Sequence, residues 1–262
     1  MNIHLVFAVA FLFLKTGEKF ATQETAGPTV VGLTGYVGDK LGITLEPLVQ
    51  NDPKKAVELV DSKKPALGIV TPGFYLAYGK ALGVESLLEV HRRGVTAEQY
   101  VLVGKKDTPD GLEAFRGKVI ATALAAEERY VVAVILKGKL GDEVRLKAVT
   151  DVEGALFDLV EGSKNAADAV LTEDAAWKAI EKDEELGPKL KVVFTSEELP
   201  RDLVVIFRPN AGDIDLDKLK AILKEMASND AGRQVLSSIR VEGFEDINQE
   251  RLTKAQELFR GK

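Results

Sequence analysis

The sequence predicts an α/β protein of two lobes that are joined by a two-strand hinge. Apolar runs of strand length alternate with amphipathic stretches of helix length along the 262 residues, as in parallel sheets with helices on both faces. Each half of the chain has the same order of elements: strand, helix, strand, helix, strand. The apolar strands Tyr100–Val103 and Leu203–Phe207 bracket the second half. We therefore expect these strands to form the hinge, with lobe one at residues 1–103 and 205–262 and lobe two inserted at residues 106–202.

The first element is an unbroken apolar run from Leu5 to Leu14. It has about the length of a signal-peptide core and is far too short to span a membrane. No Lys or Arg precedes it, and no clear small-residue cleavage site follows it. We interpret Ile3–Phe11 as the first strand of a parallel sheet, buried on both faces. A signal peptide is the alternative. On the strand interpretation, a native export signal is absent from this sequence.

Periodicity and turn residues define the next elements. The helix Thr29–Leu41 has apolar residues at helical spacing, and Pro28 lies at its start. Gly32, Gly35 and Gly38 lie within this helix, where each costs roughly 1 kcal/mol relative to Ala. We expect these glycines to allow close packing on the sheet. The other elements predicted before residue 100 are the strand Ile43–Val49, the helix Pro53–Ser62, and the strands Ala66–Val70 and Leu87–Arg93.

The polar, turn-rich stretch Lys105–Asp110 is the expected crossover, and the alternation then resumes. The predicted strands of the second half are Lys118–Thr122, Val144–Ala148, Ala167–Leu171 and Lys191–Phe194. The predicted helices are Glu127–Lys137, Val152–Glu161 and Asp174–Lys182, followed after the second hinge strand by Asp217–Ala227 and Asp230–Ile239.

The composition argues against several classes of function. The net charge is -6 and no run is rich in Lys or Arg, so we expect no nucleic-acid partner. The absence of Cys excludes disulfides, thiolate metal sites and a Cys nucleophile. His4 and His91 are the only histidines, and they lack the spacing of metal ligands. No phosphate-binding loop, dinucleotide-binding motif or G-x-S-x-G occurs, so we expect neither a cofactor nor an enzyme.

The order of several short motifs resembles the phosphonate-binding-protein-like group of type 2 periplasmic solute-binding proteins, over nearly the whole chain. The resemblance implies a type 2 periplasmic-binding fold that captures a small molecule in an interlobe cleft, in the periplasm or outside the cell. It also implies delivery of that ligand to an ABC permease in the membrane, and we expect a monomer. The motifs are Tyr36–Leu45, Ala66–Ala77, Gln99–Asp107, Leu112–Ala121, Ala167–Leu171, Leu203–Pro209 and Asn229–Ile239, then Gly243-Phe244.

One departure from the family pattern concerns the ligand. The family places a Ser-Thr-Ser-like cluster where a lobe-two strand enters a helix, and its hydroxyls and backbone N–H groups hold a phosphonate or phosphate. The matching positions here are Ala125, Ala126 and Glu127. Two hydroxyls are missing, and a carboxylate stands where an anionic oxygen would lie. We therefore expect a ligand other than phosphate or phosphonate, which is neutral, cationic or zwitterionic.

The resemblance places Thr71, Phe74 and Tyr75 in a loop that enters the cleft of lobe one. Thr71 would donate a hydrogen bond to the ligand, and the rings would supply apolar contact area. The alternative for Phe74 and Tyr75 is packing under the following helix, and Tyr78 is expected in the core. The Arg92-Arg93 pair could contact an anion, but we interpret it as a solvated loop.

In lobe two, the predicted ligand-binding residues follow two strands. Thr122 lies at the carboxyl end of one strand and Glu127 follows it, and Thr172 and Glu173 follow the other strand. The alternative role for Glu127 is to complement the helix dipole. Trp177 is expected to pack between helix and sheet.

Two other functions stay open from the sequence. One is a sensor or orphan receptor with the same fold and no role in transport. The other is a small-molecule lyase on the same architecture, with Glu127 or Glu173 as its acid or base.

Overall fold

A computed structural model of the chain describes residues 8–92, 94, 96–140 and 143–261. The chain forms two compact units. Unit 1 contains Met1–Thr96 and Arg201–Asn248, and unit 2 contains Ala97–Pro200 and Gln249–Lys262. None of the helices in the described ranges is both long and apolar enough to cross a membrane.

The described strands in chain order are β1 (Ala8–Leu14), β2 (Thr44–Gln50), β3 (Leu67–Val70), β4 (Val84–His91), β5 (Tyr100–Lys105), β6 (Val119–Thr122), β7 (Arg145–Ala148), β8 (Ala169–Glu173), β9 (Leu190–Thr195), β10 (Leu203–Phe207) and β11 (Gly243–Glu245). The α-helices are α1 (Gly27–Leu41), α2 (Pro53–Lys63), α3 (Pro72–Leu82), α4 (Glu128–Tyr130), α5 (Val152–Glu161), α6 (Asp174–Ile180), α7 (Leu216–Glu225), α8 (Asp230–Ser238) and α9 (Gln249–Arg260).

Unit 1 is built on a sheet with the strand order β11-β4-β10-β3-β1-β2. Strand β1 lies inside this sheet, parallel to β2 on one side and to β3 on the other. An interior strand of a covered sheet is buried on both faces, which explains the apolar sequence AVAFLFL. The prediction of a first parallel strand is confirmed from Ala8 onward, whereas residues 3–7 lie outside the described residues.

Strand β10 runs antiparallel between β3 and β4, and all five of its residues are buried. Helices cover both faces of the sheet, and the apolar face of α7 contributes Leu219, Ile222 and Leu223 to the core. Local signals define the helix starts. Asp52 caps α2 through hydrogen bonds from Lys54 N and Lys55 N, as expected for an N-cap carboxylate.

Gly32, Gly35 and Gly38 of α1 do not share one role. A Cβ on Gly38 would lie 2.7 Å from the carbonyl oxygen of Ile43, so this glycine allows the turn into β2 to approach the helix. A Cβ on Gly32 or Gly35 would meet nothing within 4 Å. The expectation of close packing is therefore correct for Gly38 and wrong for Gly32 and Gly35, which lie on the solvent side of the helix.

Unit 2 is built on a sheet with the strand order β7-β6-β8-β5-β9. Strands β6, β7 and β8 are parallel, and β5 is antiparallel to both of its neighbours. Trp177 of α6 is buried in the core between helix and sheet, as predicted.

The helix predicted at Glu127–Lys137 is irregular. A 3-10 turn at Ala125–Glu127 leads into α4, and a π-helical turn follows at Val131–Ile135. The N–H of Leu136 donates to the carbonyl of Val131 at 2.9 Å, five residues back. The β-branched run VVAVI disfavours a regular α-helix because its side chains have few allowed rotamers there.

The predicted lobe boundaries differ from the two units at both hinge strands. Tyr100–Lys105 belongs to the sheet of unit 2, and Leu203–Phe207 belongs to the sheet of unit 1. The segments that precede these two strands do pair with each other in antiparallel orientation. Glu98 and Leu199 form this bridge, with N–O distances of 2.8 and 3.1 Å. Lys105–Asp110 is not the crossover, because it lies within unit 2.

The C-terminal helix α9 also differs from the predicted division, because Gln249–Lys262 belongs to unit 2 and not to unit 1. Lys254 of α9 pairs with Glu197 at 2.5 Å, and Lys137 pairs with the same carboxylate at 2.5 Å. The hydrogen bond from Lys137, together with that from Lys254, lowers the pKa of Glu197. The amphipathic pattern of α9 shows which face is buried, but it does not show which unit that face covers.

We predict opposite effects for two alanine substitutions in α1. Gly38→Ala should lower the free energy of unfolding by about 1–3 kcal/mol, because its Cβ would overlap the Ile43 carbonyl. The matched control Gly32→Ala should raise it by up to about 1 kcal/mol, since Ala reduces the entropy of the unfolded chain and meets no obstacle. Urea unfolding followed by circular dichroism measures both. Equal effects of the two substitutions would contradict the conclusion that Gly38 is closely packed and Gly32 is not.

Candidate functional site

In each sheet, several strand ends bring polar side chains to one edge. Ligands of open α/β sheets bind outside the carboxyl ends of the strands. In unit 1, β1, β2, β3 and β4 end at the same edge, and β10 begins there because it is antiparallel to β3 and β4. Along this edge lie, in spatial order, Arg92 after β4, Asp202 before β10, Thr71 after β3, Lys15 after β1 and Asn51 after β2.

Thr71 is the one predicted site residue of unit 1 that lies directly at this edge. It is the N-cap of α3, and its hydroxyl oxygen accepts from Phe74 N at 3.3 Å. The side chain of Tyr75 is partly buried, and its hydroxyl accepts a hydrogen bond from Ser86 at 3.5 Å. Phe74 has no exposed surface, and its ring centre lies 5.2 Å from that of Tyr78. The structure therefore gives Phe74 the packing role, and its ring offers no ligand contact.

A cluster of three charged residues lies along the same edge. The Asp202 carboxylate is bound by Lys15 Nζ at 3.1 Å and by Arg92 Nη2 at 2.7 Å. Burial is the largest influence on the pKa of Asp202 and opposes ionisation, but the charges and hydrogen bonds of Lys15 and Arg92 outweigh it and hold the pKa below its usual value. Arg92 is therefore not a solvated loop residue: its side chain is 20% exposed and is bound to a buried carboxylate.

A second charged cluster surrounds Arg201, the residue that precedes Asp202. The Arg201 guanidinium donates to Glu89 at 3.2 Å and to Glu245 at 2.8 Å, and Glu89 is completely buried. Arg201 neutralises a carboxylate inside the sheet, which is a structural role.

In unit 2, the carboxyl ends of β6, β7, β8 and β9 and the start of β5 share one edge. Three predicted site residues lie there. Thr122 is buried and its hydroxyl oxygen accepts from Leu124 N at 3.2 Å. Glu173 is half-buried and pairs in register with Tyr100, and the buried Thr172 pairs with Val101. Thr122 is the last residue of β6, as predicted, whereas Thr172 and Glu173 are the last two residues of β8 and do not follow it.

Glu127 is buried, with 7% of its surface exposed, although glutamate is rarely buried in proteins. It ends the turn that follows β6, and its N–H donates to the carbonyl of Leu124 at 2.8 Å. Ala125 and Ala126 precede it and bring no hydroxyl to this turn. The neighbouring Arg129 points to α9, where it donates to the carbonyl of Phe259 at 3.0 Å and lies 4.4 Å from its ring centre.

A cavity of about 470 Å³ opens in unit 2 beside the carboxyl end of β7 and the start of α5. No predicted site residue lines it. Its polar and aromatic lining includes Lys147, Thr150, Asp151, Phe157 and Asp158.

The sequence does not reveal Lys15, Arg92 and Asp202 as parts of one site. A usable signal exists for two of them: Lys15 directly follows the apolar strand β1, and Asp202 directly precedes β10. Single charges at the ends of buried strands mark sheet edges, but they do not show which ends are neighbours. Among the residues that the structure describes, no group of three or more His, Asp or Glu side chains is arranged to hold a metal ion.

Comparison with protein families gives one match. The family described as the periplasmic substrate-binding protein of the ABC phosphonate transporter matches residues 22–252. No curated protein matches the chain in sequence.

Several solved structures share the fold. Protein XAC2383 of Xanthomonas citri, bound to a chloride ion, superposes with a TM-score of 0.75 at 15% identity, covering 96% of each chain. A binding protein component of the ABC phosphonate transporter of Pseudomonas aeruginosa has a TM-score of 0.67 at 14% identity, covering 96% of this chain and 85% of that one. PhnD1 of Prochlorococcus marinus, in complex with methylphosphonate, has a TM-score of 0.67 at 11% identity, covering 96% and 97%. The predicted type 2 periplasmic-binding fold is confirmed.

We predict that Asp202→Asn destabilises the protein by about 3–5 kcal/mol at neutral pH, because Lys15 and Arg92 lose the carboxylate between them. The folded pKa of Asp202 lies below its usual 3.8, so its contribution is complete above that pH and is lost as the pH falls through the folded value. The difference in the free energy of unfolding between the unmodified chain and Asp202→Asn should therefore become smaller in acid. Urea unfolding at several pH values measures it, and the exposed Asp39→Asn is the matched control.

Proposed function

Because the chain belongs to the family of periplasmic substrate-binding proteins of ABC phosphonate transporters, we propose that it captures one small molecule and delivers it to an ABC permease. Proteins of this family act outside the cytoplasm and bind a ligand without transforming it. We propose that both properties hold for this chain: it acts outside the cytoplasm, and it is a binding protein and not an enzyme.

The observation that carries the proposal is the presence of polar groups at the carboxyl edge of each sheet. In unit 1, Thr71 lies at this edge beside Lys15, and in unit 2, Thr122 lies at the edge with Glu173. A recognition site needs a few polar groups that fix the orientation of the ligand, and these edges supply them. The proposed ligand-binding residues are Thr71, Tyr75, Thr122, Glu127, Thr172 and Glu173.

The ligand is neither phosphate nor a simple phosphonate in this proposal. A tight phosphonate site requires several charge-assisted hydrogen bonds, each worth roughly 1.5–3 kcal/mol. The turn after β6 offers Ala125 and Ala126 where the family has hydroxyls, and it buries the carboxyl group of Glu127. Two missing bonds amount to about 3–6 kcal/mol, or about two to four decades of affinity.

Native mass spectrometry of the purified chain, followed by denaturation, tests the capture function. We expect a complex of one small molecule per chain, and the released molecule should have the same mass before and after prolonged incubation with fresh protein. A binding protein leaves its ligand unchanged. Conversion of the molecule into a product of different mass would contradict the proposal and favour a lyase.

Calorimetry with phosphate and methylphosphonate tests the ligand class. We expect no binding tighter than about millimolar for either anion. The triple substitution Ala125→Ser, Ala126→Thr and Glu127→Ser should raise the affinity for both, because it restores the hydroxyls and removes a carboxylate. The control Ala179→Thr with Glu181→Ser adds hydroxyls and removes one carboxylate at exposed positions of unit 2, away from the turn, and should have no effect. A micromolar dissociation constant for the unmodified chain would contradict this assignment.

A further inference from the structure

We propose that unit 1 binds the carboxylate group of a zwitterionic ligand, through Lys15 and Arg92 at the carboxyl edge of its sheet. This inference rests on the proposed function and narrows its ligand class. The evidence is the position of the two cations, the charge balance of their cluster and the donors that they retain.

The position follows from the strand register. Phe13 of β1 pairs with Ile69 of β3, so continuing the register brings Lys15 level with Thr71. Asp202 lies on the other side of β3, because it precedes β10. The Lys15 side chain therefore passes over the end of β3 to reach Asp202, at 3.1 Å. The ammonium group therefore lies at the edge of the sheet where ligands of α/β proteins bind.

The charge balance favours an anion. Lys15 and Arg92 carry two positive charges against the single negative charge of Asp202, so this cluster has a net charge of +1. The helix α3 begins beside it and adds the partial positive charge of its N-terminus. An incoming cation would be repelled, or would have to displace Lys15 or Arg92 from Asp202. A neutral ligand would leave the net positive charge of the cluster uncompensated.

The two cations also retain hydrogen-bond donors. Asp202 accepts one contact from Lys15 Nζ, which carries three donors. Arg92 reaches Asp202 through Nη2; its Nε is buried and has no acceptor within the part of the chain that the structure describes, so the exposed part of the guanidinium is what a ligand can reach. Both side chains keep some exposure, 24% for Lys15 and 20% for Arg92, whereas Asp202 is 9% exposed. A ligand oxygen can therefore reach the cations more easily than the carboxylate that holds them.

The cluster suits a carboxylate better than a phosphonate. One negative charge compensates the net charge of +1, whereas a dianion would leave excess negative charge beside Asp202. A carboxylate also matches the planar guanidinium of Arg92. Among the neutral, cationic and zwitterionic ligands that the turn after β6 allows, the cluster selects the zwitterion.

NMR titration of the ¹⁵N-labelled full chain with acetate tests the site directly. The reporter is the Nε–H resonance of Arg92, assigned by its loss in Arg92→Lys. We expect a saturable shift with acetate, a weaker affinity for methylphosphonate and no saturable shift with methylammonium, each at the same ionic strength. Absence of a saturable shift with acetate would overturn the inference, and tighter binding of methylphosphonate would overturn the choice of a carboxylate.

Three variants of lysine residues localise the binding. Lys15→Met removes the charge but keeps the length of the side chain, and it should weaken acetate binding by about tenfold or more. Lys15→Arg keeps the charge and should retain binding, which separates loss of charge from a folding defect. Lys54→Met, at an exposed position of α2, is the matched control and should bind as the unmodified chain does. Unchanged acetate affinity in Lys15→Met would overturn the assignment.

The outcome separates this inference from the proposed function. If acetate does not bind at Lys15 and Arg92 while native mass spectrometry still recovers an unchanged ligand, only the carboxylate assignment fails. If acetate binds but the recovered molecule is chemically converted, the anion site stands and the capture function fails.

Discussion

The insertion of β10 between β3 and β4 is the constraint on which unit 1 depends. Backbone pairing on both sides buries every residue of this strand and places Leu203 opposite both Val70 and Glu89. Since β10 follows residues 97–200 in the chain, the sheet of unit 1 is complete only after this larger segment of unit 2 has been synthesised. Unpaired backbone groups in the core are costly. The buried edges of β3 and β4 therefore need β10 as their partner, although it comes from a distant part of the sequence.

The same insertion determines the chemistry of the sheet edge. The two residues before β10 are Arg201 and Asp202, and each meets opposite charges from other strands. The contacts of Arg201 lie inside the sheet and neutralise a buried carboxylate, so they contribute to the fold. The contacts of Asp202 lie at the edge of the sheet, where Lys15 and Arg92 bind its carboxylate. Two adjacent residues therefore pair with different charged groups at the start of the same strand.

Unit 2 presents the same kind of edge with different chemistry. Its polar residues are Thr122, Thr172 and Glu173, and the turn that follows β6 carries Ala125 and a buried Glu127. This edge has carboxyl groups where unit 1 has a cluster of net positive charge. The chemistry of each edge depends on the side chains at the strand ends, which can change while the strands do not.

The sequence by itself determined the α/β class, most strands and helices, and the family, because strand and helix periodicity are local properties of the chain. It also placed Thr71, Thr122 and Glu173 at strand ends, since a polar residue directly after an apolar run is visible in one dimension. Only the tertiary structure decided which strand ends are neighbours. Lys15 and Asp202 are 187 positions apart, and nothing in their local sequence shows that they form an ion pair. Helix α9 was misassigned for the same reason: an amphipathic face shows that it is buried, but the partner is decided by packing and by the ion pairs that the packing brings together.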